Sequence, residues 1–174
     1  MNDSKSGPAY RLWSPEGFSD DPWVRSGSFD RDQHVILPLE VFLALDEDTR
    51  KSRAGTIAVE LQPGEQLAEI ESHLDDLPMI ALAFPAFSDG RSFSKAELLR
   101  SRHGYKGTVR ATGEVLIDQI PLMLRTGVTE FEVSDETALR RLTEGRIGGL
   151  PHHYQPAARA TPQTGTYAWR RQSA

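Results

Sequence analysis

The run Asp89-Gly90-Arg91-Ser92-Phe93-Ser94 sets a carboxylate, a guanidinium and two hydroxyls side by side at the start signal of a helix. Free N–H groups at a helix start attract anions, and an arginine adds a planar fork of donors suited to phosphate, sulfate or carboxylate. Arg91, Ser92 and Ser94 therefore form a candidate anion cradle, with Asp89 in its turn. The competing reading is a surface turn without a ligand, because Asp-Gly is a common turn pair. Arg110 is the second residue of interest, since an arginine inside a strand of a covered sheet must be paired or reach an opening. Asp89, Asp118 and Glu132 are the partners that the expected topology brings nearest. An ion pair that ties neighbouring loops together competes there with a ligand site.

Residue types close off several chemistries. The chain has no cysteine, which removes disulfides, thiolate nucleophiles and Cys-ligated metal clusters. The phosphate-binding pattern Gly-x-x-x-x-Gly-Lys, the dinucleotide pattern Gly-x-Gly-x-x-Gly and the nucleophile pattern Gly-x-Ser-x-Gly are all missing. His73, His103 and the pair His152-His153 complete no metal-ligand spacing. No catalytic residue, cofactor or metal site is assigned on these grounds.

Net charge is −5, from 20 basic and 25 acidic side chains, which argues against a nucleic-acid partner. The charge is uneven. Between Phe84 and Arg110 stand Arg91, Lys95, Arg100, Arg102, Lys106 and Arg110 against Asp89 and Glu97, so this stretch is +4 and the remainder −9. A local anion site or an acidic partner suits that pattern, and a solvated basic helix face is the alternative. No apolar run reaches signal-peptide or membrane-helix length, so a soluble, cytoplasmic protein with no membrane contact is expected.

The elements that must position these residues follow from periodicity. Strands are predicted to begin near residues 56, 79, 108 and 129, each followed by a helix, with a short strand at Val35 to Leu37 and a short helix over Leu39 to Leu45 before them. Regular alternation predicts an α/β fold with a mostly parallel sheet of about four strands, half-barrel-like or flavodoxin-like. Met79 to Phe84 is apolar on both faces and so belongs inside the sheet, which favours the sequential order of a half-barrel. Leu67, Ile70, Leu74 and Leu77 predict an amphipathic helix. Ser94 with Glu97 predicts a capping box, with Phe93 and Leu98 at staple positions. The helix over Glu114 to Arg125 is apolar around most of its circumference, which suits a homodimer interface, and Pro121 is expected to kink it. Residues 34–155 are expected to form one domain, between polar, flexible tails at 1–33 and 156–174.

Phe84-Pro-x-Phe87-x-Asp89-Gly90-Arg91-x-x-Ser94, Leu98-Leu99-Arg100, Gly104-Tyr105-x-Gly107, Arg110-Ala111-x-Gly113, Asp118-Gln119, Arg125-x-Gly127, Phe131-Glu132 and Tyr154-Gln155 together resemble a bacterial domain-of-unknown-function family, DUF934. The resemblance runs from about Val35 to Gln155 and leaves the tails uncovered. It implies an accessory role in assimilatory sulfate and sulfite reduction, as an oxidoreductase component or as a partner of sulfite reductase or its electron donor. It also adds Gln119, beside Asp118, to the anion- or partner-binding candidates. Some members have a cysteine before the glycine that corresponds to Gly127, where this chain has Thr126, so a thiol mechanism does not carry over. The alternatives are a small-anion or nucleotide-binding protein, enzyme or sensor, and a purely structural subunit.

Overall fold

The computed structural model describes residues 10–25 and 33–149. In chain order its elements are β1 (Arg11–Ser14), β2 (Gly17–Ser19), β3 (Trp23–Arg25), β4 (His34–Pro38), α1 (Leu39–Ala44), α2 (Glu47–Ser52), β5 (Ile57–Leu61), a 3-10 helix (Leu67–His73), β6 (Met79–Phe84), α3 (Arg91–Ser101), β7 (Thr108–Gly113), α4 (Ile120–Thr126), β8 (Glu130–Val133) and α5 (Glu136–Thr143). The strands join one eight-stranded sheet in the order β2-β1-β8-β7-β6-β5-β4-β3. From β3 to β8 every neighbouring pair is parallel, and β1 runs antiparallel to both β8 and β2.

This is a mixed α/β sheet of twice the expected size. The order from β4 to β8 is sequential, which excludes the flavodoxin-like arrangement. All six residues of β6 are buried, as an internal strand covered on both faces requires. The N-terminal stretch expected as a flexible tail is instead part of the sheet where it is described: residues 10–25 supply strands to both edges. Residues 1–9, 26–32 and 150–174, which include the expected C-terminal tail and His152-His153, lie outside the described residues.

The sheet is curled into a half-barrel. In a flat sheet β3 and β8, five strands apart, would be separated by about 24 Å at roughly 4.8 Å per strand. Arg25 Nη2 on β3 nevertheless lies 2.9 Å from Glu132 Oε1 on β8. Only Asp20, Asp21 and Pro22 connect β2 at one edge to β3 at the other, a link too short to cross an open sheet.

Strand alternation then sorts the side chains. Val35, Leu37, Val59, Leu61, Ile80, Leu82, Phe84, Val109, Ala111, Phe131 and Val133 share one core with Ala96 and Leu99 of α3, Ile120 and Met123 of α4, and Ala138 and Leu142 of α5. The concave face holds Ile36, Ala58, Met79 and Ala81 with Trp23 against them. Also on this face, in one register row, are Glu60, Ala81, Arg110 and Glu130. The short side chain of Ala81 leaves room for the long charged groups on either side of it.

Helix boundaries differ from expectation where turn chemistry decides them. Pro121 does not kink a long helix. It stands in the first turn of α4, where its missing N–H is no loss, and Gly127 at φ +104° closes the other end. Val115 and Ile117 still reach the core from the preceding loop, and Leu122, 40% exposed, is the exposed large apolar residue of α4. Residues 67–73 form a 3-10 rather than an α-helix, and an i, i+3 pair such as Leu67 and Ile70 is buried equally well by either geometry.

Gly113 closes β7 at φ +89°, and a Cβ there would stand 2.5 Å from the Phe84 carbonyl oxygen. That oxygen accepts from Glu114 N at 2.7 Å, tying the ends of β6 and β7 together. Gly113→Ala is expected to destabilise the fold by about 1–3 kcal/mol, read from urea unfolding midpoints.

Candidate functional site

The residues singled out in the sequence do not converge. Asp89 and Arg91 pair with each other, Arg91 Nη2 to Asp89 Oδ2 at 2.7 Å and Nε to Oδ1 at 3.0 Å, with the Arg91 side chain 64% exposed. The hydrogen bonds from Arg91 hold the Asp89 carboxyl down at about 2. Ser92 is buried and its hydroxyl donates to the Ala83 carbonyl at 2.6 Å, fastening α3 to β6. Ser94 is not the N-cap. The helix begins a turn earlier at Arg91, with Asp89 Oδ1 accepting from Arg91 N at 3.2 Å, so Ser94 lies exposed inside it and the capping box does not form. Phe93 packs edge-on against Phe84 at 5.1 Å instead of stapling to Leu98. Asp118 is exposed. Gln119 is buried, donating to the Phe87 carbonyl at 3.4 Å.

The basic stretch from Phe84 to Arg110 is mostly consumed within the chain. Lys95 is buried and donates to the Gln62 and Pro63 carbonyls at 2.8 Å each. Arg100 donates to the carbonyls of Gly127, Tyr105 and Gly107. Arg102 and Lys106 are exposed.

Arg110 is the centre of a different constellation, on the concave face. Its side chain is 1% exposed and meets three carboxylates: Asp21 at 2.8 Å, Glu130 at 2.9 Å and Glu132 at 3.4 Å. Glu130 takes the Nε and Nη2 edge of the guanidinium, and Asp21 takes Nη1. Of the three expected partners only Glu132 is present; Asp89 and Asp118 lie elsewhere. Glu132 also accepts from Arg25 at 2.9 Å, and Arg25 reaches Glu60 at 3.1 Å. Thr112 Oγ1 donates to Glu60 at 2.8 Å across β6, and the Tyr10 hydroxyl donates to Asp21 at 2.7 Å. The result is one connected network of two guanidiniums, four carboxylates and two hydroxyls.

With every acid ionised the network carries two more negative than positive charges, and its proton affinities follow. Burial pushes the Glu132 carboxyl above the usual range, aided by the charge of Glu60 and only partly offset by Arg25 and Arg110. For Asp21 burial acts in the same direction, but hydrogen bonds from Tyr10 and Arg110 outweigh it and the carboxyl lies below its ordinary value. Burial, the hydrogen bond to Asp21 and the nearby Glu132 push Tyr10 up to about 12. The two acids therefore act on stability in opposite senses. Asp21 adds stability above the ordinary aspartate range that is lost as pH falls; Glu132 adds stability at low pH that is lost as pH rises through its raised value. Glu132→Gln is accordingly expected to gain on the native protein as pH rises from the ordinary glutamate range, measured as the difference in urea midpoint across pH. A difference that shrinks with rising pH would contradict the assignment.

Sequence reasoning missed Tyr10, Asp21, Arg25, Glu60 and Glu130, and marked Thr112 only as part of the segment Thr112 to Glu114 that leaves the carboxyl end of a strand. Thr112 and Glu130 were within reach, because residues two apart on a strand share a face and would have joined Arg110 and Glu132. Asp21 and Arg25 gave no local signal, since their placement depends on strands of three residues.

A model of a bacterial protein family of unknown function, DUF934, matches residues 58–164. No curated protein and no solved structure matches the chain. The matched segment contains β6, β7, β8 and the loops between them, together with Arg110, Thr112, Glu60, Glu130 and Glu132. Residues 10–25, with Tyr10, Asp21 and Arg25, precede it. Among the described residues no helix is long and apolar enough to cross a membrane.

Proposed function

We propose that this chain, which belongs to the bacterial family of unknown function DUF934, serves as an accessory component of assimilatory sulfite reduction. In this reading it acts by docking on sulfite reductase or its electron donor in the cytoplasm, not through an anion held between Arg91 and Arg110. One observation carries the choice between docking and anion binding. Both guanidiniums are engaged by the chain's own carboxylates, Arg91 by Asp89 and Arg110 by Asp21 and Glu130. A sulfite, sulfate or nucleotide phosphate would have to displace a carboxylate already in hydrogen-bond contact, at a cost that its own charge only restores. The sulfur-assimilation context rests on the family resemblance alone.

Docking does not require these arginines. Exposed candidates near the carboxyl ends of β6 and β7 are Phe87, 57% exposed, and Leu122, with Arg102 and Lys106 at the far end of α3. The direct test is co-purification of the tagged full chain from its host. Sulfite reductase or its electron donor should be retained by the native protein and lost with Phe87→Asp plus Leu122→Asp. Recovery of neither protein under conditions that preserve the reductase complex would overturn the reading.

A further inference from the structure

Residues 10–25 bear a distinct relation to the sheet. They precede the matched segment, flank it at both edges and send two charged side chains across its concave face. Asp21 places a carboxylate on the Nη1 edge of Arg110 at 2.8 Å, while the Nε and Nη2 edge stays with Glu130 on the neighbouring strand. Arg25 places a guanidinium between Glu60 at 3.1 Å and Glu132 at 2.9 Å. The inner members are the more deeply covered, with side-chain exposures of 1% for Arg110 and 6% for Glu132 against 13% for Asp21 and 37% for Arg25. A cleft of about 410 Å³ is lined wholly by residues of this segment between Tyr10 and Asp21, and Asp21 is the member of it that also reaches Arg110.

We propose that the concave face of the matched domain is a binding site for a small zwitterion carrying a carboxylate and a cationic nitrogen, and that Asp21 and Arg25 hold those two places while residues 10–25 are closed over it. The ligand carboxylate takes Arg110 Nη1 in place of Asp21, with the Nε and Nη2 edge kept by Glu130 and Glu132 reaching Nη1 at the longer distance of 3.4 Å. The ligand cation takes Glu60 and Glu132, with Thr112 holding the Glu60 carboxylate toward it. Neither group alone suffices, because removing one partner leaves a buried opposite charge unmatched. The built-in occupant competes as an intramolecular ligand, so the native protein binds weakly and the site is revealed by discharging the occupant.

The experiment titrates the full chain with L-arginine, which carries both groups, and with acetate and methylguanidinium, which carry one each. It compares the native protein with Asp21→Asn, Arg25→Gln and the double variant, after circular dichroism confirms folding. The double variant should bind L-arginine about tenfold or more tighter than the native protein, as expected when a closed state that dominates is removed. The single-group probes should show no comparable gain. Equal affinity in native and variant proteins, or no binding by any folded variant, overturns the proposal. If the double variant does not fold, hydrogen exchange on the native protein decides. At saturating L-arginine the amides of β1 and β3 should exchange faster, and unchanged exchange there overturns the proposal. Failure of this test leaves co-purification with the reductase untouched, and the reverse also holds.

Discussion

Replacing Arg110 by methionine is expected to destabilise the protein by about 3–5 kcal/mol, the range seen when one member of a buried charge cluster is removed. Methionine keeps much of the volume but removes the counter-charge from Asp21, Glu130 and Glu132, whose carboxylates sit within 3.4 Å of the guanidinium. The loss comes from leaving those acids uncompensated on a covered face, and not from a cavity. It should therefore depend on pH. In acid the carboxylates become protonated and the variant should recover most of the difference, whereas a cavity defect would persist unchanged. Urea unfolding of both proteins at neutral pH and near pH 4 separates the two causes. The same substitution also removes the hold of Asp21 on the concave face, so β3 and the link before it should lose protection before the rest of the sheet.

Phe131→Ala is expected to cost a comparable amount, about 3–5 kcal/mol, for a different reason. Phe131 is fully buried in β8, opposite Trp13 of β1, with ring centroids 5.5 Å apart and planes tilted by 50°. Truncation removes the ring contact between Phe131 and Trp13 that helps to hold β1 on this edge, together with a large side chain from the core. Trp13 is only 4% exposed in the native protein, so its fluorescence should shift to the red in the variant below the unfolding transition. Urea midpoints report the stability loss, and the emission shift reports whether β1 has detached. A destabilised variant whose emission is unchanged would show that β1 is held by its backbone ladder alone.

Most of the fold from β4 onward was legible in the sequence because each element carries its own local signal. Met79 to Phe84 is apolar throughout and lies inside the sheet; Ile57, Val59 and Leu61 alternate and turn one face to the helices. Errors at helix starts have a common origin. Ser94 has the residue type of a cap, but Asp89 and Gly90 offer an earlier start that the backbone takes, and Pro121 opens a helix that periodicity alone would begin several residues sooner. The strands β1 to β3 were illegible for a stronger reason. Runs of three or four residues show no period, and their pairing is fixed by Trp13 on Phe131, Trp23 against the cluster of Ile36, Ala58, Met79 and Ala81, and the charges of Asp21 and Arg25.

The candidate site was legible only in part, again through particular residues. Arg110 announced itself as an arginine in a covered strand that needed a partner, and Glu132 was among those expected. The partner that takes its open edge, Asp21, is 89 residues away in a segment without periodicity. Asp89, Arg91, Ser92 and Ser94 had the composition of an anion cradle. Each is instead assigned by the fold to a local task or to solvent: an Asp-Arg pair, a helix-to-strand hydrogen bond and an exposed helix surface.

The proposed role in sulfite reduction is tested most directly by sulfite reductase activity, with the amount of enzyme, in extracts of a strain lacking this gene. Activity should fall in the deletion strain and return when the native chain is restored. Restoration should also succeed with Arg91→Ala, because that arginine serves only its surface pair with Asp89. Normal sulfite reductase activity and normal enzyme level in the deletion strain would contradict the account.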